Sequence, residues 1–230
     1  SALDQLLVSK AEKEGARVYL QTRLNDIQRE ENRLRVRLKQ AKTSGDICVT
    51  THLVIGADGW NSSVRKWMQL PQIETIAAVS IDTTLKNDLR DMAQIFVGNE
   101  VAPGWFGWAI PLGDGSSRIG IGSDAKHTSI KPRILLEQLL HLFPAQLAGA
   151  KMENFSGGFI PLYKNTAQYR ESISDNVMLV GDAAGQVKPT SGGGIYTGLR
   201  AAESAAEVAI MAMNDGDFSS NSLQKYEDKW

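Results

Sequence analysis

Cysteine is nearly absent from this chain. Cys48 stands alone among 230 residues, so no internal disulfide can form and a reducing compartment fits. Charge of one sign is lacking too. The net charge is −1, without the basic excess that a nucleic-acid binder carries, and no nucleic-acid partner is expected. His52, His127 and His141 show no metal-ligand spacing, and one cysteine cannot complete a zinc set. No apolar run approaches the length of a membrane span. The opening "SALDQLLVSKAEKEGA" is an amphipathic helix pattern without a signal-peptide core. Repeats, low-complexity tracts and a Ser-His-Asp arrangement are absent as well. What remains is an ordinary globular composition, 42% hydrophobic and 22% charged, with room for one large domain or two small ones.

Periodicity supplies the order of elements. Leu3 to Lys13 reads as a helix with Leu3, Leu6, Leu7 and Ala11 on one face and Gly15 as its stop. "ARVYLQ" reads as a short strand. "LNDIQRE" and "NRLRVRLKQ" alternate apolar with polar residues across Glu31-Asn32, a hairpin signal. "ICVTTHLVIGADG" holds two extended stretches, the second apolar enough to be buried on both faces. Cys48, in the first, reads as an inert small apolar residue. "NSSVRKWMQL" follows as a helix capped by its polar start.

From Gln72 the pattern turns β-rich. "ETIAAVSIDTTL", "MAQIFVG", "WFGWAIPLG" and "SSRIGIGSD" read as strands, "KPRILLEQLLHLFP" as a helix framed by prolines, and "ENFSGGFIPLY" as extended chain. An apolar strand over 176–180, a glycine-rich turn, a helix from Gly193 to Met213 and a last Ser-capped helix complete the order. The fold class is therefore mixed α/β, an α/β layer into which a β-rich block is inserted. The expected divisions are 1–71, 72–165 and 166–230.

Two acid-glycine turns carry the chemistry. "NVMLVGDAAG" puts Asp182 at the carboxyl end of a strand, the edge at which open α/β sheets hold ligands. Gly192, Gly193 and Gly194 then let backbone approach a flat or anionic ligand, and the next helix presents unpaired N–H groups and a positive dipole. A ligand with sugar-like hydroxyls suits these features. The competing reading makes Asp182 a turn cap and the glycines a simple bend. "HLVIGADGWNSSVRK" repeats the device with Asp58 and Gly59, and places Arg65 on the following helix. Arg65 is either a positive charge near the ligand or a surface ion-pair partner.

Two such turns about a hundred residues apart, with a β-rich block between them, resemble the paired flavin motifs of the aromatic-hydroxylase-like flavoprotein superfamily. "GDAAGQVKPTSGGG" and "PGWFGWAIPLGDGSSRIGIG" are more specifically similar to the geranylgeranyl reductase branch. Gly185 stands where the hydroxylases usually carry histidine. The resemblance covers nearly the whole chain. It implies FAD as cofactor, a partial FAD-binding Rossmann-like layer, an inserted substrate domain, and flavin-dependent hydrogenation of isolated C=C bonds in a prenyl lipid or prenylated pigment. It leaves the electron donor open between NAD(P)H and a ferredoxin, and the proton donor unassigned. A cytoplasmic setting with a peripheral membrane contact goes with such a substrate.

The family also opens with a strand, a Gly-x-Gly-x-x-Gly turn and a helix that hold the FAD pyrophosphate. This chain shows none before Leu3, and Gly120-Ile-Gly122-Ser-Asp-Ala125 is read as a glycine-bearing strand. A fragment of a longer protein, inactive by itself, is therefore expected. By resemblance, Asp182 would bond a ribityl hydroxyl or a nearby phosphate-side oxygen. Gly181 and Ala183 would approach closely, and Gly192, Gly193 and Gly194 would face the flavin's pyrimidine edge. Asp58 and Gly59 would shape the other turn, with Arg65 adding charge.

Phe106 and Trp108 are two apart in a strand and share a face, while Trp105 is expected to point away. That face lines either an apolar substrate pocket or the core. Tyr163 is either a substrate-side phenol or a buried anchor. Lys188 reads as solvated. A non-catalytic fragment that binds only an apolar ligand, and a flavin-dependent aromatic monooxygenase or halogenase, are the competing functions.

Overall fold

The computed structural model describes residues 2–41, 45–86, 91–162 and 171–230. Tyr163 lies outside them. Helix α1 (Ala2–Lys13) ends at Gly15, whose φ of +94° suits glycine. None of its residues is buried, and Leu3, Leu6 and Leu7 are exposed. "ARVYLQ" is not a strand. The chain there runs irregularly into Gln21 at φ +54°, an αL kink that no strand continues through.

The hairpin forms as its alternation predicts. β1 (Thr22–Glu30) and β2 (Arg33–Gln40) pair up to Glu30↔Arg33, and β3 (Asp46–Thr51) adds to β2. Cys48 lies exposed in β3. β4 (Val54–Gly56) pairs in parallel with β11 (Val177–Leu179), which is flanked on its other side by the short β10 (Ile173–Ser174). β4 is thus an edge strand, and Ile55 is 44% exposed rather than buried on both faces. β11 is the strand enclosed on both faces. Val177 and Leu179 pack on Ile27, Leu34 and Val36 of the hairpin, while Met178 and Val180 pack on the two C-terminal helices. Those helices are α4 (Ile195–Asp215) and α5 (Ser220–Lys229), the latter capped by Ser219.

The β-rich block forms one five-stranded antiparallel sheet in the order β6-β7-β8-β5-β9. Its strands are β5 (Thr75–Thr83), β6 (Gln94–Val97), β7 (Phe106–Pro111), β8 (Ser117–Ser123) and β9 (Phe155–Pro161). Helix α3 (Pro132–Leu142) covers one face. Leu135, Leu136 and Leu139 bury against Ile81, Phe96, Ala109, Ile119 and Ile121. The opposite face carries Trp108 and Phe106. Gly120 and Gly122 fall inside β8, as a glycine-bearing strand. No helix among the described residues is long and apolar enough to cross a membrane.

Candidate functional site

Parallel pairing brings the two acid-glycine turns to the same sheet edge, because Leu179 stands opposite Gly56. Asp58 is consumed locally. Its carboxylate accepts from Ser62 Oγ at 2.5 Å and from the N–H groups of Ser63 (2.7 Å) and Val64 (3.3 Å), which fixes the start of α2 (Ser63–Trp67). Gly59 follows at φ +79° with open space where a Cβ would stand. Arg65 is 2% exposed, so it is not a surface ion-pair residue. Its guanidinium donates to Pro71 O (2.7 Å) and Ala183 O (3.4 Å), tying α2 to the other turn.

Asp182 behaves differently. Residues Gly181–Ala184 form one 3-10 turn that begins at Gly181 (φ +66°) and ends at Gly185 (φ +71°). Ala183 is fully buried beneath it. The Asp182 side chain makes no hydrogen bond among the described residues, so the turn-cap reading fails. Burial pushes its pKa up from the ordinary carboxylate value. The cap is Gln186 instead. Gln186 Oε1 accepts from Gly181 N at 2.7 Å, Gln186 Nε2 donates to Tyr226 Oη at 2.7 Å, and Tyr226 Oη donates to Leu179 O at 2.8 Å. This closed chain is buried, and burial pushes the Tyr226 phenol up to about 12 against the opposing effect of the Gln186 bond.

The glycines face this turn. A Cβ on Gly194 would lie 3.1 Å from Asp182 Oδ1, and one on Gly192 (φ +66°) would lie 2.4 Å from Ile160 Cγ2 and 3.3 Å from Trp105 Cζ2. Gly193 is the more open of the three, with only Ser191 Oγ and Lys188 Cδ near its missing Cβ. Gly194 begins α4 without any side-chain cap. Lys188 is exposed, with its Nζ over the Tyr196 ring. Among the described residues no group of His, Cys, Asp and Glu could hold a metal ion.

Both turns touch the five-stranded sheet. The Trp60 ring meets Phe159 of β9 at 4.4 Å, and Gly192 meets Ile160 and Trp105. Trp105 does not point away from Phe106. The chain turns over Val101–Trp105, with Gly104 at φ +73°, so strand alternation begins only at Phe106. Trp105 stacks on Phe106 at 5.1 Å, and Phe106 meets Trp108 edge-on at 6.0 Å, so the three aromatics form one wall. Glycines make room for it. A Cβ on Gly120 would lie 2.3 Å from Trp108 Cζ2, and one on Gly122 would lie 2.4 Å from Trp105 Cδ1.

The sequence reading passed over Gln186, Tyr226 and this use of Gly120 and Gly122. The glycines had a signal, since two of them at i and i+2 in a strand clear one face. Gln186 and Tyr226 had none, because only the tertiary fold joins them.

The chain belongs to a family of flavoproteins described as "FAD binding domain", whose pattern matches residues 1–229. A digeranylgeranylglycerophospholipid reductase of Methanosphaera stadtmanae is 34% identical to it, over 98% of this chain and 56% of the relative. Another, from Methanococcoides burtonii, is 31% identical over 99% of this chain and 55% of the relative. A solved geranylgeranyl bacteriochlorophyll reductase-like protein of Thermoplasma acidophilum superposes with a TM-score of 0.87 at 25% identity. It is covered over 57% of its length, and this chain over 99%. A flavin-dependent brominase at 15% identity shares the fold alone, with a TM-score of 0.78. The resemblance to geranylgeranyl reductases is borne out, and with it FAD as the family's cofactor and the mixed α/β, Rossmann-like fold. The chain spans about half the length of the curated relatives it matches.

Proposed function

We propose that the protein acts with FAD to reduce isolated C=C bonds of a prenyl chain, the chain lying along the open aromatic face of the five-stranded sheet. One observation carries the reading. A half-buried carboxylate without a hydrogen-bond partner among the described residues, Asp182, faces a glycine cradle that directly touches an apolar aromatic wall. The residues fit the cofactor. Asp182 has acceptor capacity for ribityl hydroxyls. Gly192 closes the cradle, its N–H donating to Lys188 O at 2.9 Å, and Gly193 and Gly194 leave backbone N–H groups for a flat, electron-poor ring. Gly181 and Ala183 set the turn, while Asp58, Gly59 and Arg65 stiffen its neighbour. FAD, when bound, supplies hydride to an alkene carbon.

The protein's own part is positioning. Backbone dipoles at the start of α4 favour negative charge beside them, and the wall of Trp105, Phe106 and Trp108 excludes water from the alkene. Ile95 and Val97 are exposed and stand opposite Trp108 and Phe106 in β6, which extends the apolar surface. A peripheral membrane contact at this face would deliver a lipid substrate. The enzyme reading is favoured over an apolar-ligand module by Asp182, unpartnered among the described residues, which a pure lipid binder has no use for. Gly185 and the apolar wall disfavour the monooxygenase and halogenase readings.

The test is a chimera in which this chain replaces its aligned stretch of a full-length digeranylgeranylglycerophospholipid reductase. Loaded with FAD and reduced anaerobically, it is offered prenyl alcohols of rising length beside simple phenols. Loss of C=C bonds with flavin reoxidation, faster for longer chains, is expected. Asp182→Ala should weaken FAD retention roughly ten- to a hundredfold, the range for hydrogen bonds to charged groups. Oxygen-dependent phenol hydroxylation with no alkene reduction overturns the proposal.

A further inference from the structure

We propose that the Ser80–Ser156 hydroxyl pair is a specificity-determining station for an oxygen atom of the prenyl ligand, an ether or hydroxyl oxygen at the head of its chain; this rests on the prenyl reading above. The open face of the sheet holds a cavity of about 250 Å³. Ala78, Trp108, Phe159 and Ile160 give it hydrocarbon and aromatic walls, and Gly158, with nothing near its missing Cβ, leaves it room. Besides the indole N–H of Trp108, the polar side-chain groups in its lining are the hydroxyls of Ser80 and Ser156. Ser80 stands opposite Ser156 in β9 and opposite Gly120 in β8, and Gly120 stands opposite Trp108, so the pair and the indole lie in one row on one face.

The two Oγ atoms are 2.9 Å apart. Each hydroxyl has one O–H and two lone pairs, and their mutual bond uses one of the two O–H groups. The second has no protein partner among the described residues. Water satisfies it while the cavity is open. Beneath a bare hydrocarbon it would lose that water without replacement, which weakens binding roughly 5- to 150-fold. A ligand oxygen at this level accepts the O–H instead. A cavity built only for methylenes would be better lined by alanine.

The position along the strand also selects which bond reacts. Ser80 lies four residues beyond Ile76, whose partner Ile160 touches Gly192. That separation is about 13 Å at the usual strand rise. A head oxygen held at Ser80 therefore brings a bond well down the chain, rather than the first, to the glycine cradle.

The test needs no cofactor. The 230-residue chain is titrated by tryptophan fluorescence with geranylgeraniol, with its methyl ether, and with the matching hydrocarbon that lacks oxygen. The alcohol and the ether should both bind roughly 5- to 150-fold more tightly than the hydrocarbon. Ser156→Ala leaves Ser80 to donate and keeps the preference. The Ser80→Ala/Ser156→Ala double variant abolishes it without weakening hydrocarbon binding. Ser80→Cys/Ser156→Ala, which keeps the shape but offers only a weak donor, gives the same loss if the double alanine variant fails to fold. Equal affinity for all three ligands, or a preference that survives both double variants, overturns the station and leaves the prenyl reading standing. No binding of any of the three overturns both.

Discussion

Strand β8 has a partner on each side and α3 behind it, whereas β4 has a partner on one side only and turns Ile55 outward. The two regions reach order by different means. The five-stranded sheet closes a core of Ile81, Ile119, Ile121 and the α3 leucines and needs few polar ties there. The β10-β11-β4 layer encloses one short strand and fixes the turn after it with a buried polar chain, Gly181–Gln186–Tyr226–Leu179. The same layer leaves the Asp182 carboxylate without a hydrogen bond among the described residues. A surface that needs only shape can be made of packed hydrocarbon, while a turn that must present a carboxylate needs hydrogen bonds to hold it still.

The largest expected effect lies in the sheet. Leu139 is fully buried and its methyls pack 3.1 and 3.5 Å from where a Gly107 Cβ would stand, so Leu139→Ala should cost about 2–5 kcal/mol in urea unfolding. Hydrogen exchange should quicken in β8 more than at Gly181. Equal acceleration in both places would mean that the regions form one cooperative unit, and the contrast between them would dissolve.

Tyr226→Phe is the reciprocal case. It leaves Gln186 Nε2 and Leu179 O buried without their partner, at a cost of about 1–3 kcal/mol. The amide of Gly181 should exchange faster while β8 amides hold. Unchanged exchange at Gly181 would show that the turn stands without the polar chain.

The smallest effect is at Asp182, and its sign is the informative part. Burial raises its pKa in the folded protein above the unfolded value, so ionisation costs folded stability. That penalty is fully present above the raised pKa. It fades as pH falls through it and is gone below the ordinary carboxylate value. In the protein free of ligand, Asp182→Asn should therefore stabilise slightly near neutral pH, with the gap to the parent closing in acid. A destabilised Asn variant at neutral pH would mean that the carboxylate has a partner after all.

Local pattern made the sheet region legible. Alternation, turn residues and the proline-framed α3 marked where the strands and the helix lie along the chain, but not that β5 would pair with the distant β8 and β9. Asp182 and the three glycines were also visible, because strand-end acids and glycine-rich helix starts are local signals. The reading failed where distant elements decide. Ile55 looks like a core residue until β4 proves to be an edge. "ARVYLQ" looks like a strand until Gln21 kinks. Trp105 looks opposed to Phe106 until Gly104 breaks the alternation. Tyr226 gave no hint that it holds a turn far back in the chain.

The pairing of Val54 with Val177 also has a consequence in time. All five strands of the antiparallel sheet have been synthesised once Pro161 is made, so none of its pairings waits for later chain. β4 is translated before that sheet but must wait for β11 to appear, and the turn after β11 must wait longer still for Tyr226. The apolar wall is thus in place before the acidic turn that faces it. During that interval a nascent chain displays Trp105 and Ile160 without Gly192 against them, and that is the moment at which a chaperone would be called upon.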